Sequence, residues 1–347
     1  MNSHLCSYQV GFTRQELGQG DKGTRGQGEE KPLTTRHSPL ATHHSPLATR
    51  HSPLATRLSP LTLLKTTVVL GITLVGAIAY SAPSQALQVR VSPAKPHLGD
   101  TLSVLITPDN AATASIPSVT LDRKSYPAFQ VAPNQFRAFV PTTPLQKPGK
   151  RLLQVSSEDG ERNLAVWVGN RKFPVQRIYL RPGKAGLEAT EKELDRVAAF
   201  KQLVTPQKFW NGPFLKPNRG RISTIYGVRR YYNGKFANDY YHRGVDYAGA
   251  AGSPVVAPAA GRVALVGLES QGFRVHGNTI GIDHGQGVTS VFLHLSRIYV
   301  KEGDFVKAGQ VIGAVGTTGA STGPHLHWGL YVQGESVDPT AWNRGLN

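Results

Sequence analysis

The stretch Thr322-Gly323-Pro324-His325-Leu326-His327-Trp328 sets two histidines two residues apart, directly after a Gly-Pro turn signal. A strand puts such a pair on one face, because its side chains alternate with period two. A helix would turn them about 200° apart, onto opposite sides. His242-Arg243-Gly244-Val245-Asp246 follows the same logic with an even offset of four, which predicts His242 and Asp246 on one strand face. Gly244, Gly323, Pro324 and Gly329 also disfavour helix. The C-terminal part of the chain is therefore expected to be β-structure.

A third short piece, Phe292-Leu293-His294-Leu295, adds another histidine. Imidazole and carboxylate are the groups Zn²⁺ takes in catalytic sites, where three protein ligands leave a fourth position for water. Taken singly, a histidine in a Gly-rich turn ordinarily bonds to the backbone. His276 and His284 are read in that way. The reading changes for His242, Asp246, His294, His325 and His327 because all five fall within one Gly-rich segment.

At 347 residues the chain is long enough for two domains. Its net charge of +17 points to a polyanionic neighbour such as nucleic acid, anionic lipid or an acidic wall polymer. No helix-turn-helix, finger or aromatic ribonucleoprotein motif is present, so a nucleic-acid partner is not expected. Cys6 is the only cysteine, which excludes an intrachain disulfide. A thiol mechanism is also set aside, because Cys6 lies in a segment expected to be absent from the mature protein.

Residues 1–64 read as a low-complexity leader. Arg36-His37-Ser38-Pro39-Leu40-Ala41-Thr42 recurs with period seven from His43 and from Arg50, and a proline in each repeat forbids a heptad helix. Residues 65–86 read as a signal peptide. The apolar run Thr66 to Tyr80 is shorter than the ~20 residues of a spanning helix, and Ser84-Gln85-Ala86 has the small-x-small pattern of a cleavage site. No stable membrane span is expected after cleavage. Residues 87–175 alternate short apolar runs with turn signals, at Leu87 to Val91, Thr101 to Ile106, Phe136 to Val140, Arg151 to Val155 and Leu164 to Val168. This pattern predicts a β-sandwich accessory domain. Residues 176–218 read as a linker with a helix over 188–204, started by a Thr190/Glu193 capping-box pattern and stopped by Pro206. Residues 219–347 hold every chemical motif.

Over 219–342 the chain resembles the lysostaphin-like zinc metalloendopeptidases, the bacterial peptidoglycan hydrolases. The likeness runs in order through Ile225-Tyr226-Gly227-Val228-Arg229, Tyr241-His242-Arg243-Gly244-Val245-Asp246-Tyr247-Ala248 and Gly252-Ser253-Pro254-Val255-Val256-Ala257. It continues through Gly277-Asn278-Thr279-Ile280, Phe292-Leu293-His294-Leu295-Ser296, the Gly303 to Gly313 loop, Gly316-Thr317-Thr318-Gly319 and Thr322 to Trp328. The resemblance implies His242, Asp246 and His327 as ligands of one Zn²⁺ per chain, with His294 and His325 as the catalytic pair beside it. It leaves open which of the two is the general base. The sandwich resembles, more loosely, the immunoglobulin-like modules that precede some members.

The expected fold is all-β: an immunoglobulin-like sandwich, a short helical linker and an antiparallel, barrel-like sheet domain. The resemblance implies a secreted endopeptidase acting on peptidoglycan stem peptides in the periplasm or cell wall. A non-catalytic wall-binding protein, or an activator of a cell-wall amidase, is the alternative. A lipoyl-type carrier is suggested by the Glu302 to Gly313 loop but lacks a lysine at the hairpin tip. The short sequence after Trp342 leaves no room for a C-terminal wall-targeting domain, which favours a direct D-alanine–diamino acid cross-link over a glycine bridge as substrate.

Overall fold

A computed structural model describes residues 87–109, 115–179 and 187–345. The leader repeats and the signal-peptide features lie outside the described residues. Among the described residues, no helix is long and apolar enough to cross a membrane.

The chain opens on eight strands: β1 (Gln88–Ser92), β2 (Thr101–Thr107), β3 (Ser118–Leu121), β4 (Lys124–Tyr126), β5 (Ala128–Ala132), β6 (Gln135–Pro141), β7 (Gly149–Ser157) and β8 (Gly160–Val168). They form two four-stranded antiparallel sheets, ordered β1-β2-β6-β5 and β4-β3-β7-β8. Period-two burial explains the sandwich: Leu102, Val104 and Ile106 on β2, Phe136 and Ala138 on β6, and Leu153 and Val155 on β7 meet in one core. The short strands β3, β4 and β5 were not anticipated, since Pro117 and Pro127 interrupt their sequence.

Two elements of the following stretch lean on the C-terminal part. Strand β9 (Val175–Ile178) pairs in parallel with β11 (Arg229–Tyr232), which also pairs with β12 (Lys235–Phe236). Helix α1 (Glu191–Lys201) starts at Thr190, whose side chain accepts the Glu193 N–H.

The remaining strands are β10 (Arg221–Thr224), β13 (Val245–Ala248), β14 (Pro254–Val256), β15 (Gly261–Gly267), β16 (Thr279–Gly285), β17 (Val288–Leu293), β18 (Leu295–Ile298), β19 (Phe305–Val306), β20 (Val311–Val315), β21 (Leu326–Val332) and β22 (Glu335–Val337). A four-residue helix, α2 (Pro339–Trp342), follows. The main sheet runs β10-β13-β21-β17-β16-β15-β19, with β22 added to β21. It is an open path rather than a closed barrel, so the barrel-like part of the expectation gives way to sheets. A smaller sheet, β14-β20-β18, lies beside it.

The two faces of the main sheet have different jobs. Val245, Tyr247, Phe292, Leu326, Trp328 and Leu330 point into the principal core with Val255, Ile312 and Val315 of the small sheet. On the other face, Val197 and Phe200 of α1 cover Leu265, Val291 and Tyr331. Asp246 and His327 alternate with the core residues and so belong to this second face, beyond the part that α1 covers.

Candidate metal centre

Asp246 of β13 and His327 of β21 are directly paired across the antiparallel ladder, which brings their side chains together. His242 arrives differently from the expectation. Strand β13 begins only at Val245, so His242 sits in the preceding loop, fixed by His242 N–H to Val228 O (2.8 Å) and Gly227 N–H to His242 O (2.9 Å). A Cβ on Gly244 would lie 2.8 Å from His327 Nε2 and run into the Trp328 carbonyl, so this turn needs glycine.

The three donor atoms form a tight triangle. His242 Nε2 to Asp246 Oδ1 is 2.9 Å, His327 Nδ1 to Asp246 Oδ1 is 2.9 Å, and the two ring nitrogens are 3.0 Å apart. The His242 Nδ1–H donates to the Ile225 carbonyl at 2.9 Å, so in neutral His242 the Nε2 carries a lone pair. One carboxylate oxygen and two ring nitrogens thus converge where a cation belongs. A tetrahedral zinc site with bonds of about 2.0–2.1 Å has ligand–ligand edges of about 3.3 Å, close to the triangle seen. The donor set fits zinc in chemistry and size. Among the described residues, this is the one group of three such side chains with ligand atoms within 4.8 Å of one another.

His294 and His325 flank the triangle. His325 Nε2 is 4.0 Å from Asp246 Oδ1, and the His294 ring lies 4.9 Å from that of His325 and 6.5 Å from that of His327. Backbone carbonyls set both tautomers: His294 Nδ1–H donates to Thr318 O at 2.8 Å and His325 Nδ1–H to Gly323 O at 2.8 Å. In the neutral ring each Nε2 is then an acceptor. His294 has φ +64°, a left-handed conformation that few non-glycine residues hold. Its N–H to the His276 carbonyl, at 3.1 Å, helps to keep it there.

The electrostatics favour an ionised Asp246 beside neutral His294 and His327. Burial would raise the Asp246 carboxyl, but His242 and His327 hold it well below the usual carboxylate range. Burial lowers His294 to about 3 and His327 to about 4, reinforced in His294 by the neighbouring His325 and His327.

His284, read as a turn histidine, is fully buried at the end of β16; its Nδ1–H donates to Ala260 O and its Nε2 accepts from the Ser290 hydroxyl. His276 departs from a backbone role, since its Nδ1 lies 2.6 Å from the Glu193 carboxylate of α1. Sequence reasoning missed two residues near the site. Glu193, which is fully buried, also accepts N–H bonds from Arg274, Val275 and His276. Arg230 on β11 has its Nη2 3.8 Å from Asp246 Oδ2. The only sequence signal for Arg230 is its place beside Arg229 in the quoted Ile225 to Arg229 motif.

His242, Asp246, His294, His325, His327 and Arg230 line a cleft of about 520 Å³, to which Gln176 and Ile178 of β9 and Val197 and Lys201 of α1 also contribute.

Residues 240–339 match the family model for peptidase family M23. The DD-carboxypeptidase/endopeptidase Mpg of Neisseria meningitidis is 42% identical over 100 residues, 29% of this chain and 22% of that protein. Lysostaphin of Staphylococcus staphylolyticus is 45% identical over 92 residues, 26% of this chain and 18% of that protein. The chain thus spans about a fifth of the length of the curated relatives it matches. A crystal structure from Pseudomonas aeruginosa assigned to peptidase M23 superposes with a TM-score of 0.54 at 29% identity, covering 73% of this chain and 96% of that one.

Proposed function

We propose that this chain, which belongs to peptidase family M23, is a secreted zinc metalloendopeptidase that hydrolyses peptide cross-links of bacterial peptidoglycan. The observation that carries this reading is the convergence of one carboxylate oxygen and two ring nitrogens, flanked by two further histidines whose Nδ1–H groups are held by backbone carbonyls. A structural site needs only its ligands, so a purely wall-binding role leaves His294 and His325 without a task.

His242, Asp246 and His327 would hold the metal. When bound, zinc would supply a Lewis acid for the scissile carbonyl and an acidic water as nucleophile. His294 and His325 then divide the proton work. One Nε2 accepts the proton that the attacking water releases and returns it to the leaving nitrogen as the C–N bond breaks, while the other accepts a hydrogen bond from that water and holds it in place. The left-handed backbone at His294 and the carbonyl partners of both rings fix these nitrogens before substrate arrives. The cleft of about 520 Å³ beside them is where an extended peptide would lie.

Metal content and turnover of a purified cross-linked muropeptide dimer test the assignment together. His242→Ala, Asp246→Ala and His327→Ala are expected to lose both bound zinc and turnover. His294→Ala and His325→Ala are expected to keep the metal while turnover falls at least about a hundredfold. Wild-type rates in His325→Ala would overturn the proposed division of roles.

A further inference from the structure

Strand β9 belongs to the stretch that joins the sandwich to the peptidase domain, yet it touches the site. In the parallel pair β9–β11, Gln176 stands opposite Arg230. The Arg230 Nε–H donates to Gln176 Oε1 at 3.2 Å, and its Nη1 reaches the hydroxyls of Tyr232 and Tyr240, both at 3.3 Å. Its other arm, Nη2, is directed at Asp246 Oδ2. The guanidinium side chain is only 12% exposed, so this contact is little screened by water.

We infer that Arg230 is a positioning residue for the metal centre, aimed by Gln176 of the linker strand and fixing the Asp246 carboxylate so that Oδ1 alone faces the two histidines. This inference rests on the metal reading of the triangle and deepens it. The planar fork of arginine suits the role, because it is anchored at Nε and Nη1 while Nη2 remains directed at the carboxylate. Lysine has no such fork and cannot hold three partners in one plane. Strand β9 is on this reading a part of the active site, and its register on β11 sets the orientation of a metal ligand two residues removed from it.

The test uses the full-length protein with Gln176→Ala, Arg230→Met and Arg230→Lys. Zinc dissociation constants are measured by competition with a chromophoric chelator, and the visible spectrum is recorded for each protein loaded with cobalt. Arg230→Met is expected to bind zinc about 10- to 100-fold more weakly, the usual consequence of removing an outer partner of a ligand. Gln176→Ala should shift in the same direction by a smaller factor and move the cobalt band, although residue 176 touches no ligand. Arg230→Lys should lie closer to Arg230→Met than to wild type. Unchanged affinity and an unchanged cobalt spectrum in Gln176→Ala and Arg230→Met would overturn the inference, whatever happens to their melting temperatures. Should Arg230→Met fail to fold, Gln176→Ala decides alone by the same criterion. A wild-type protein that binds no zinc would instead overturn the metal reading itself.

Discussion

Burial of His284, like that of His294 and His327, disfavours the charged imidazole. His284 is buried, bonded at both nitrogens, and lowered by that burial to about 4 from an ordinary 6.5. The unfolded chain takes up this proton near pH 6.5 while the folded chain refuses it until about pH 4. Stability present above pH 6.5 is therefore lost progressively as pH falls toward 4, by about 3 kcal/mol for this group. Urea denaturation at pH 7 and pH 4.5 should reveal the loss, and His284→Asn should flatten part of it. An equally steep decline in the variant would remove His284 from the explanation. At this scale the sequence was most legible where spacing carried the message. His242, Asp246, His294, His325 and His327 could be singled out by type and order, and they do come together. Arg230 could not, because a lone charged residue carries no spacing pattern and its partners lie far away in the chain; Glu193 stood out only as part of a helix cap, not as the acceptor for the 274–276 loop.

Among the elements, α1 shows how a local signal can be right in part. Thr190 caps the helix by accepting the Glu193 N–H at 3.1 Å. Glu193 does not complete the reciprocal capping box; its carboxylate turns instead to the 274–276 loop and the His276 ring. Burial alone would raise this carboxyl, but the His276 ring and the loop N–H groups hold it below its usual value. The His276 carbonyl in turn receives the His294 N–H, so α1 supports a site residue through one loop. Glu193→Ala should destabilise the fold by about 2–4 kcal/mol, since several buried donors lose their acceptor. It should also lower turnover on the muropeptide dimer while leaving bound zinc in place. Unfolding at wild-type denaturant concentration would contradict the first expectation, and wild-type turnover the second. Strand β2 was readable from its short apolar run between turn signals and β21 from the spacing of its histidines; the start of β13 after His242 was not, because Gly244 and the packing of Trp328 decide it.

Across the whole molecule, the sandwich and the peptidase sheets are joined by a packed aromatic seam. Phe139 of β6 stacks against Trp342 at 5.3 Å and Trp210 at 6.1 Å, and Phe214 completes the group at 5.1 Å from Trp342. The indole N–H of Trp342 lies 3.3 Å from the Thr101 hydroxyl, and Arg171 pairs with Asp338 at 2.7 Å. Phe139 belongs to the peptidase core although it lies on a sandwich strand. Phe139→Ala should therefore cost about 3–5 kcal/mol and lower the stability of both parts together in a single transition. Two separate transitions, with the peptidase part unaffected, would mean that the seam is only a contact. Sequence patterning could not foresee this seam, because its aromatic members lie in three distant segments and each reads as an ordinary core aromatic. What the fold achieves is a rigid frame that brings two histidines and an aspartate within 3.0 Å of one another and leaves two more histidines facing them. The most direct measurement is digestion of purified sacculi by the zinc-loaded protein, with released muropeptides identified by mass spectrometry and with His325→Ala run alongside. The account predicts loss of cross-linked dimers and appearance of monomers with wild-type protein, abolished by chelator and by His325→Ala. Intact dimers after prolonged digestion with zinc-loaded protein, or equal cleavage by His325→Ala, would contradict it.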